Sequence, residues 1–343
     1  MRTRSESGCA ALGAFRRCAA SPPDPQFAGE DISFASAAAV ETGRIEKGGM
    51  KGAAILASCL GVLACGRSDL PSDLAGTLVF VSDRGGRDAV YLRRLPHGAD
   101  FLLVSQIEPV GAPALSPDGR QVAFTMRGRV GVVDVETRAV RFLTHAVDWR
   151  DESPSWRPDG KAVVVSSRVR EGAQADLHLL PLIVPDGGDV RRPLTRTPHQ
   201  ETEAVYTPDG SGLVYVREER LFHLDLASGE ARPLTRGFRT HRCPRFLPDG
   251  RVVALWTEEK QFGIDVIALD GSGRETLVQG TDFYRTITPS PNGRYLAAGL
   301  AYRTDSLSLR QNESVVLLDA RGQRLGTLAE SWRTATGSPF WGP

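Results

Sequence analysis

His199, Glu201 and Glu203 alternate along one short segment, and His241 and Asp282 fall at comparable places in later segments. Imidazole and carboxylate in that mixture suit manganese or zinc. Such a metal, with a base to remove a proton beside a carboxylate and Arg239 or Arg285 to neutralise the enolate, would describe a lyase for acidic sugars. The ligand supply is thin. Of six histidines, His97, His178 and His223 lie in or beside apolar runs, His145 ends one, and no His-x-His pair occurs. No catalytic residue, metal or cofactor is therefore assigned.

The same stretches read better as a recognition surface. They are AVDWRDES (146–153), TPHQETE (197–203), GFRTHRC (237–243), GTDFYRT (280–286) and SWRTATG (331–337). Asp151, Glu152, Glu201 and Glu203 make one side acidic, and Arg239, His241, Arg242, Arg285 and Arg333 make the other basic. Trp149, Tyr284 and Trp332 stand among them, beside His199, in the mix of aromatics and arginine that recognition surfaces favour. A formal net charge of +1 without a basic block excludes nucleic acid as a partner. No phosphate-binding glycine loop, Cys-x-x-Cys pair or Gly-x-Ser-x-Gly elbow occurs.

These stretches recur because the chain repeats. SPDGR (116–120), RPDGK (157–161), TPDGS (207–211), LPDGR (247–251) and SPNGR (290–294) space their prolines by 41, 50, 40 and 43 residues. That is the length of four short strands with turns. Strand A precedes each turn: 113–116, 154–157, 204–207, 244–247 and 287–290. Apolar strand B follows at 122–126, 162–167, 213–217, 252–257 and 295–300. Strand C is expected at 130–135, 175–182, 221–226, 264–269 and 314–320, and strand D at 140–145, 191–196, 231–236, 274–279 and 325–330. Residues 77–105 supply B, C and D without an A, and SPFWGP (338–343) supplies an A alone. One blade shared by both ends closes a ring. The expected fold is all-β: a six-bladed propeller of four-stranded blades, residues 76–343, with no long free edge. In such a ring the D-to-A segments share a face with the B–C loops, so the recognition residues gather at one channel mouth.

The pattern P-x-[WF]-S-P-D-G, an apolar strand, Ser-x-Arg and a closing Leu-Thr resembles the repeat of TolB-like β-propellers, best in 154–168, 204–236 and 81–92. The resemblance implies a non-catalytic envelope propeller that binds a protein or cell-wall-associated partner through its channel face. Similar repeats in oligogalacturonate lyases imply the alternative, a metal-dependent lyase acting on acidic oligosaccharides. The chain departs from TolB in that no α/β domain is expected ahead of residue 76.

Residues 50–64, MKGAAILASCLGVLA, followed by Cys65, resemble a bacterial lipoprotein signal peptide and lipobox. The apolar run is far short of the ~20 residues that span a bilayer. Cys65 is thus expected to carry lipid, with 65–75 as a tether. Met50 is the expected start, and 1–49 reads as a disordered or untranslated leader. Gly66 after the cysteine, where Asp would retain the protein at the inner membrane, points to an outer-membrane anchor facing the periplasm.

Overall fold

A computed structural model describes residues 70–105, 110–145, 148–169, 173–183, 191–303, 311–331 and 340–342. Cys65, Trp332, Arg333 and the leader lie outside the described residues. In the first blade β1 (Gly76–Ser82), β2 (Ala89–Leu95) and β3 (Phe101–Ser105) meander. The second contains β4 (Val110–Leu115), β5 (Gln121–Met126), β6 (Arg129–Asp134) and β7 (Val140–Phe142). The third contains β8 (Arg150–Trp156), β9 (Ala162–Arg168), β10 (Asp176–Pro181) and β11 (Arg192–Pro193). The fourth is β12 (Glu201–Tyr206), β13 (Gly212–Arg217), β14 (Arg220–Asp225) and β15 (Ala231–Pro233). The fifth is β16 (Thr240–Phe246), β17 (Val252–Glu258), β18 (Gln261–Ile267) and β19 (Arg274–Gly280). The sixth is β20 (Phe283–Pro289), β21 (Tyr295–Arg303), β22 (Gln311–Asp319) and β23 (Arg324–Ser331). Finally β24 (Phe340–Gly342) adds antiparallel to β1, pairing Leu78 with Trp341, and closes the ring as a six-bladed β-propeller.

The repeated words have local physical causes. In each turn the glycine N–H donates to the carbonyl three residues back, as Gly119 does to Ser116 at 2.9 Å. The Asp or Asn carbonyl-type oxygen accepts the N–H two residues on, at 2.9 to 3.1 Å for Asp159 and Asn292. Glycine alone tolerates the φ of 67° to 85° that follows. The closing Leu-Thr pair ends strand D early. Thr144, Thr195 and Thr235 turn their hydroxyls back to accept the first N–H groups of strand C, from Val130, Leu177 and Leu221. Strand D is consequently shorter than expected in the second, third and fourth blades, where Pro193 and Pro233 also withhold a donor.

Strand A, conversely, begins three or four residues earlier than expected. Five A strands, β4, β8, β12, β16 and β20, carry a bulge that interrupts their register with B. At the bulge Ala112, Ser153, Glu203 and Cys243, each five residues before a turn proline, hold φ between 46° and 56°. Most of the stretches expected to be loops are therefore the opening halves of A strands.

Six apolar clusters fill the six spaces between neighbouring blades. Trp156 stitches one seam, its indole N–H donating to the Ala114 carbonyl at 2.8 Å. Trp341 does the same at the closing seam, donating to the Ala75 carbonyl at 3.0 Å. Ahead of β1, buried Leu74 and the Asp73 carboxylate, which accepts from Tyr295 Oη at 2.5 Å, fasten the entering chain to the sixth blade. Trp341→Ala is expected to cost about 3–5 kcal/mol in urea unfolding, by cavity formation plus loss of that seam. Phe238→Ala, on an exposed side chain, should stay within about 0.5 kcal/mol of wild type.

Candidate functional site

The D-to-A segments and the B–C loops meet at one mouth of the channel, the rim mouth; the proline turns ring the other, the turn mouth. Seven residues before each turn proline the A strand buries its side chain between sheets: Val110, Asp151, Glu201, His241 and Tyr284. In three blades that side chain is ionisable, and burial forces each to find partners.

Asp151 lies opposite Ser167 in the sheet and accepts its hydroxyl at 2.7 Å. Arg191 completes the pair at 2.6 Å and lays its guanidinium over Trp149, 4.9 Å from the ring centroid. Trp149 meets His178 edge-on. Burial lowers the His178 pKa, which keeps the ring neutral near pH 7. Glu201 lies opposite Arg217, which reaches Oε1 through Nε at 2.9 Å and Nη2 at 2.6 Å; Thr197 also donates. In the fifth blade His241 Nε2 sits 3.1 Å from Asp265 Oδ2, and Arg239 Nη1 lies 3.1 Å from Oδ1. Thr276 donates to Asp265 at 2.7 Å, while Arg239 stacks 3.8 Å from the Trp256 centroid. Burial alone would raise the Asp265 pKa, but the bonds from His241 and Thr276 and the Arg239 charge together hold it below its ordinary value.

The expected recognition residues thus divide. Asp151, Glu201, His241 and Tyr284 are buried between sheets, and Arg239 is largely enclosed with Asp265; the charged ones spend their charge on partners within their own blade. The reason is register: an A strand that starts early turns every second residue inward. Glu152 remains exposed with Arg168 at 2.8 Å, and His199 pairs with exposed Glu218 at 2.6 Å. Arg242 donates to the Tyr284 carbonyl at 2.8 Å and covers Phe283. Arg285 also lies over Phe283. Glu203 turns into the channel, where it accepts the Cys243 N–H and lines a waist cavity of about 70 Å³ with Arg245 and Arg285. Burial pushes the Cys243 thiol pKa up, so this cysteine is an inert core group.

The five side chains that could have met on a metal therefore do not converge. His199 goes to Glu218, Glu201 to Arg217, Glu203 to Cys243 and His241 to Asp265, and Asp282 is exposed. Among the described residues no three His, Cys, Asp or Glu side chains are grouped to hold an ion. Sequence reasoning missed Arg191, Arg217 and Asp265, the partners that neutralise the buried groups. Arg217 had a signal, the Arg that ends strand B opposite Glu201. At the rim mouth it undervalued Phe238, whose side chain is 92% exposed.

A closed ring of six four-stranded blades, with its buried ionisable groups paired inside the blades, defines a β-propeller whose mouths are the places for ligands. Residues 98–343 match the sequence profile described as the TolB beta propeller domain, and the chain belongs to that family. It is similar to a protein TolB homolog of Chlorobium luteolum, 31% identical over 215 residues, covering 59% of this chain and 47% of that one. A Tol-Pal system protein TolB of Francisella tularensis is 25% identical over 235 residues, covering 62% and 52%. The chain spans about half the length of these curated relatives. The crystal structure of TolB from Acinetobacter baumannii superposes with a TM-score of 0.66 at 18% identity, covering 80% of this chain and 68% of that one, and shares the fold.

Asp265 supplies a test of this buried pairing. Its folded-state carboxyl ionises at lower pH than an unfolded one, so its stabilisation is complete above the ordinary value of 3.8 and is lost as pH falls through the lowered folded value. Asp265→Asn is expected to lose about 3 kcal/mol at pH 7. Denaturant titrations between pH 5 and pH 2.5 should show a smaller acid loss in the variant than in wild type.

Proposed function

We propose that this propeller is a non-catalytic, lipid-anchored binding protein of the cell envelope that holds a protein or cell-wall-associated partner at its rim mouth. The observation that carries this reading is the division of labour there. The groups a lyase would need are committed to partners inside single blades, while Phe238, Trp149, Glu152, Arg242 and Arg285 line the same end with aromatic and charged surface. Exposed Phe238 next to Arg239 has the composition of an interface anchor. The relatives' names place them in the Tol-Pal system or as TolB homologs, which supports an envelope role. The lipobox-like run before Cys65 supports anchoring by lipid, in the outer membrane with the propeller in the periplasm.

Two measurements test the proposal separately. Palmitate labelling of the expressed protein should disappear with Cys65→Ser; label that persists overturns the anchor. A photo-crosslinking residue at position 238 should capture one envelope component, and Glu152→Lys should reduce capture severalfold at low salt and less at high salt, as screened charges do. Equal capture from position 260 and from a turn-mouth position such as 161 would remove the rim as the binding face.

A further inference from the structure

The turn mouth holds a second feature, independent of the rim. The residues two and three places before each turn proline, Ala114 excepted, line a vestibule of about 400 Å³ around the channel axis, bounded outside by the five turn prolines. Trp156, Tyr206, Phe246, Phe340 and Trp341 make its wall aromatic. The layer three places before the proline reads Ala114, Ser155, Val205, Arg245, Thr288 and Phe340 around the ring. Among the described residues, Arg245 is the one charged side chain that lines the vestibule.

Arg245 is incompletely used. Its Nη1 donates to the carbonyl of its own neighbour Pro244 at 2.8 Å, and its Nε is buried without a partner. Arg245 also lines the waist cavity of about 70 Å³, together with Glu203 and Arg285. There Glu203 accepts the Cys243 N–H through Oε2. The Ser155 hydroxyl stands in the same layer, and the Thr288 hydroxyl, which accepts the Trp341 N–H, keeps its own proton to donate.

We propose that the vestibule is a binding site for the C-terminus of a peptide whose last side chain is apolar. The terminal carboxylate would bond to the Arg245 guanidinium, the side chain would lie among Trp156, Phe246 and Phe340, and the last amide would meet the Ser155 and Thr288 hydroxyls. A mainly apolar cavity with one cation and a few convergent hydroxyls is the composition expected of a small specific site. A charge-assisted bond from guanidinium to carboxylate is the strong contact such a site can make. The hydroxyls favour a peptide over an alkyl carboxylate, which has nothing to offer them.

Titration calorimetry with N-acetyl-alanyl-phenylalanine on the purified propeller tests this, with the same dipeptide as its C-terminal amide and decanoate as the other probes. The acid should bind at least tenfold more tightly than the amide and than decanoate, and Arg245→Gln should lose that preference with an unchanged thermal midpoint. Arg245→Lys should recover part of it. Equal binding of acid and amide, no acid binding at millimolar concentration, or a preference that survives Arg245→Gln would each overturn the site. Decanoate binding as well as the dipeptide would overturn the peptide as its occupant. Should Arg245→Gln fold poorly, the acid-to-amide comparison on wild type still decides.

Discussion

Three residues at the end of the described chain, Phe340–Gly342, bond to β1, and the arrangement of every other blade depends on that pairing. A blade of this kind has no core of its own. Its apolar strands are covered only by the blades on either side, and the six clusters occupy the spaces between blades. Without β24 the first blade would lack its inner strand, and the cluster containing Leu74, Leu78, Tyr295, Leu317 and Trp341 would face water. The hydrophobic stabilisation of a ring is therefore collective: opening one seam exposes two sheet faces and two strand edges at once. That also explains why the entering segment is fastened at the same seam, through Leu74 and the Asp73 bonds to Arg294 and Tyr295.

Against this apolar scaffold, the buried ionisable groups at the start of the A strands need a separate account. The position seven residues before the turn proline is valine in one blade and tyrosine in another, so packing does not require charge there. Where it is Asp151, Glu201 or His241, three different partner sets have been assembled, drawing on strand D, strand B and strand C respectively. Each brings a cation close to a fully enclosed carboxylate. A buried pair of this sort gives little net stability over an apolar replacement, yet losing one member is expensive. Its consequence is directional: hydrogen bonds fix how the strand sits, where an apolar contact would allow sliding. The channel-facing neighbours, Glu203 and Arg242 among them, inherit that fixed orientation.

Much of the fold was readable before any coordinates. The Pro-Asp-Gly turns located each A–B corner, because proline, a capping carboxylate and a left-handed glycine each have one physical use there. The unpaired strands at the two ends implied closure. Two features were not readable. The bulges have only a partial sequence signature, since Ala112, Ser153 and Cys243 precede a proline while Glu203 does not, and a bulge decides which neighbours face inward. Partners such as Arg191 and Asp265 lie 40 and 24 residues from Asp151 and His241, on other strands. Their pairing depends on strand register across the sheet, which hydrophobic pattern specifies only to within the correct face. The site was legible as a region and illegible as a set of side chains.

The two channel mouths differ in how far the repeat itself determines them. At the turn mouth, proline and the large apolar residue two places before it recur, because each closes a corner and covers a seam; an apolar vestibule follows from any regular copy of the repeat. Arg245 does not follow. The equivalent places hold alanine, serine, valine, threonine and phenylalanine, all of which suit an uncharged channel layer. A buried guanidinium nitrogen without a partner costs about 1–3 kcal/mol relative to one that is bonded. Valine at Val205 shows that the layer packs without such a group. Scaffold stability thus gives no reason for arginine there, and its remaining donors point to chemistry supplied from outside the chain.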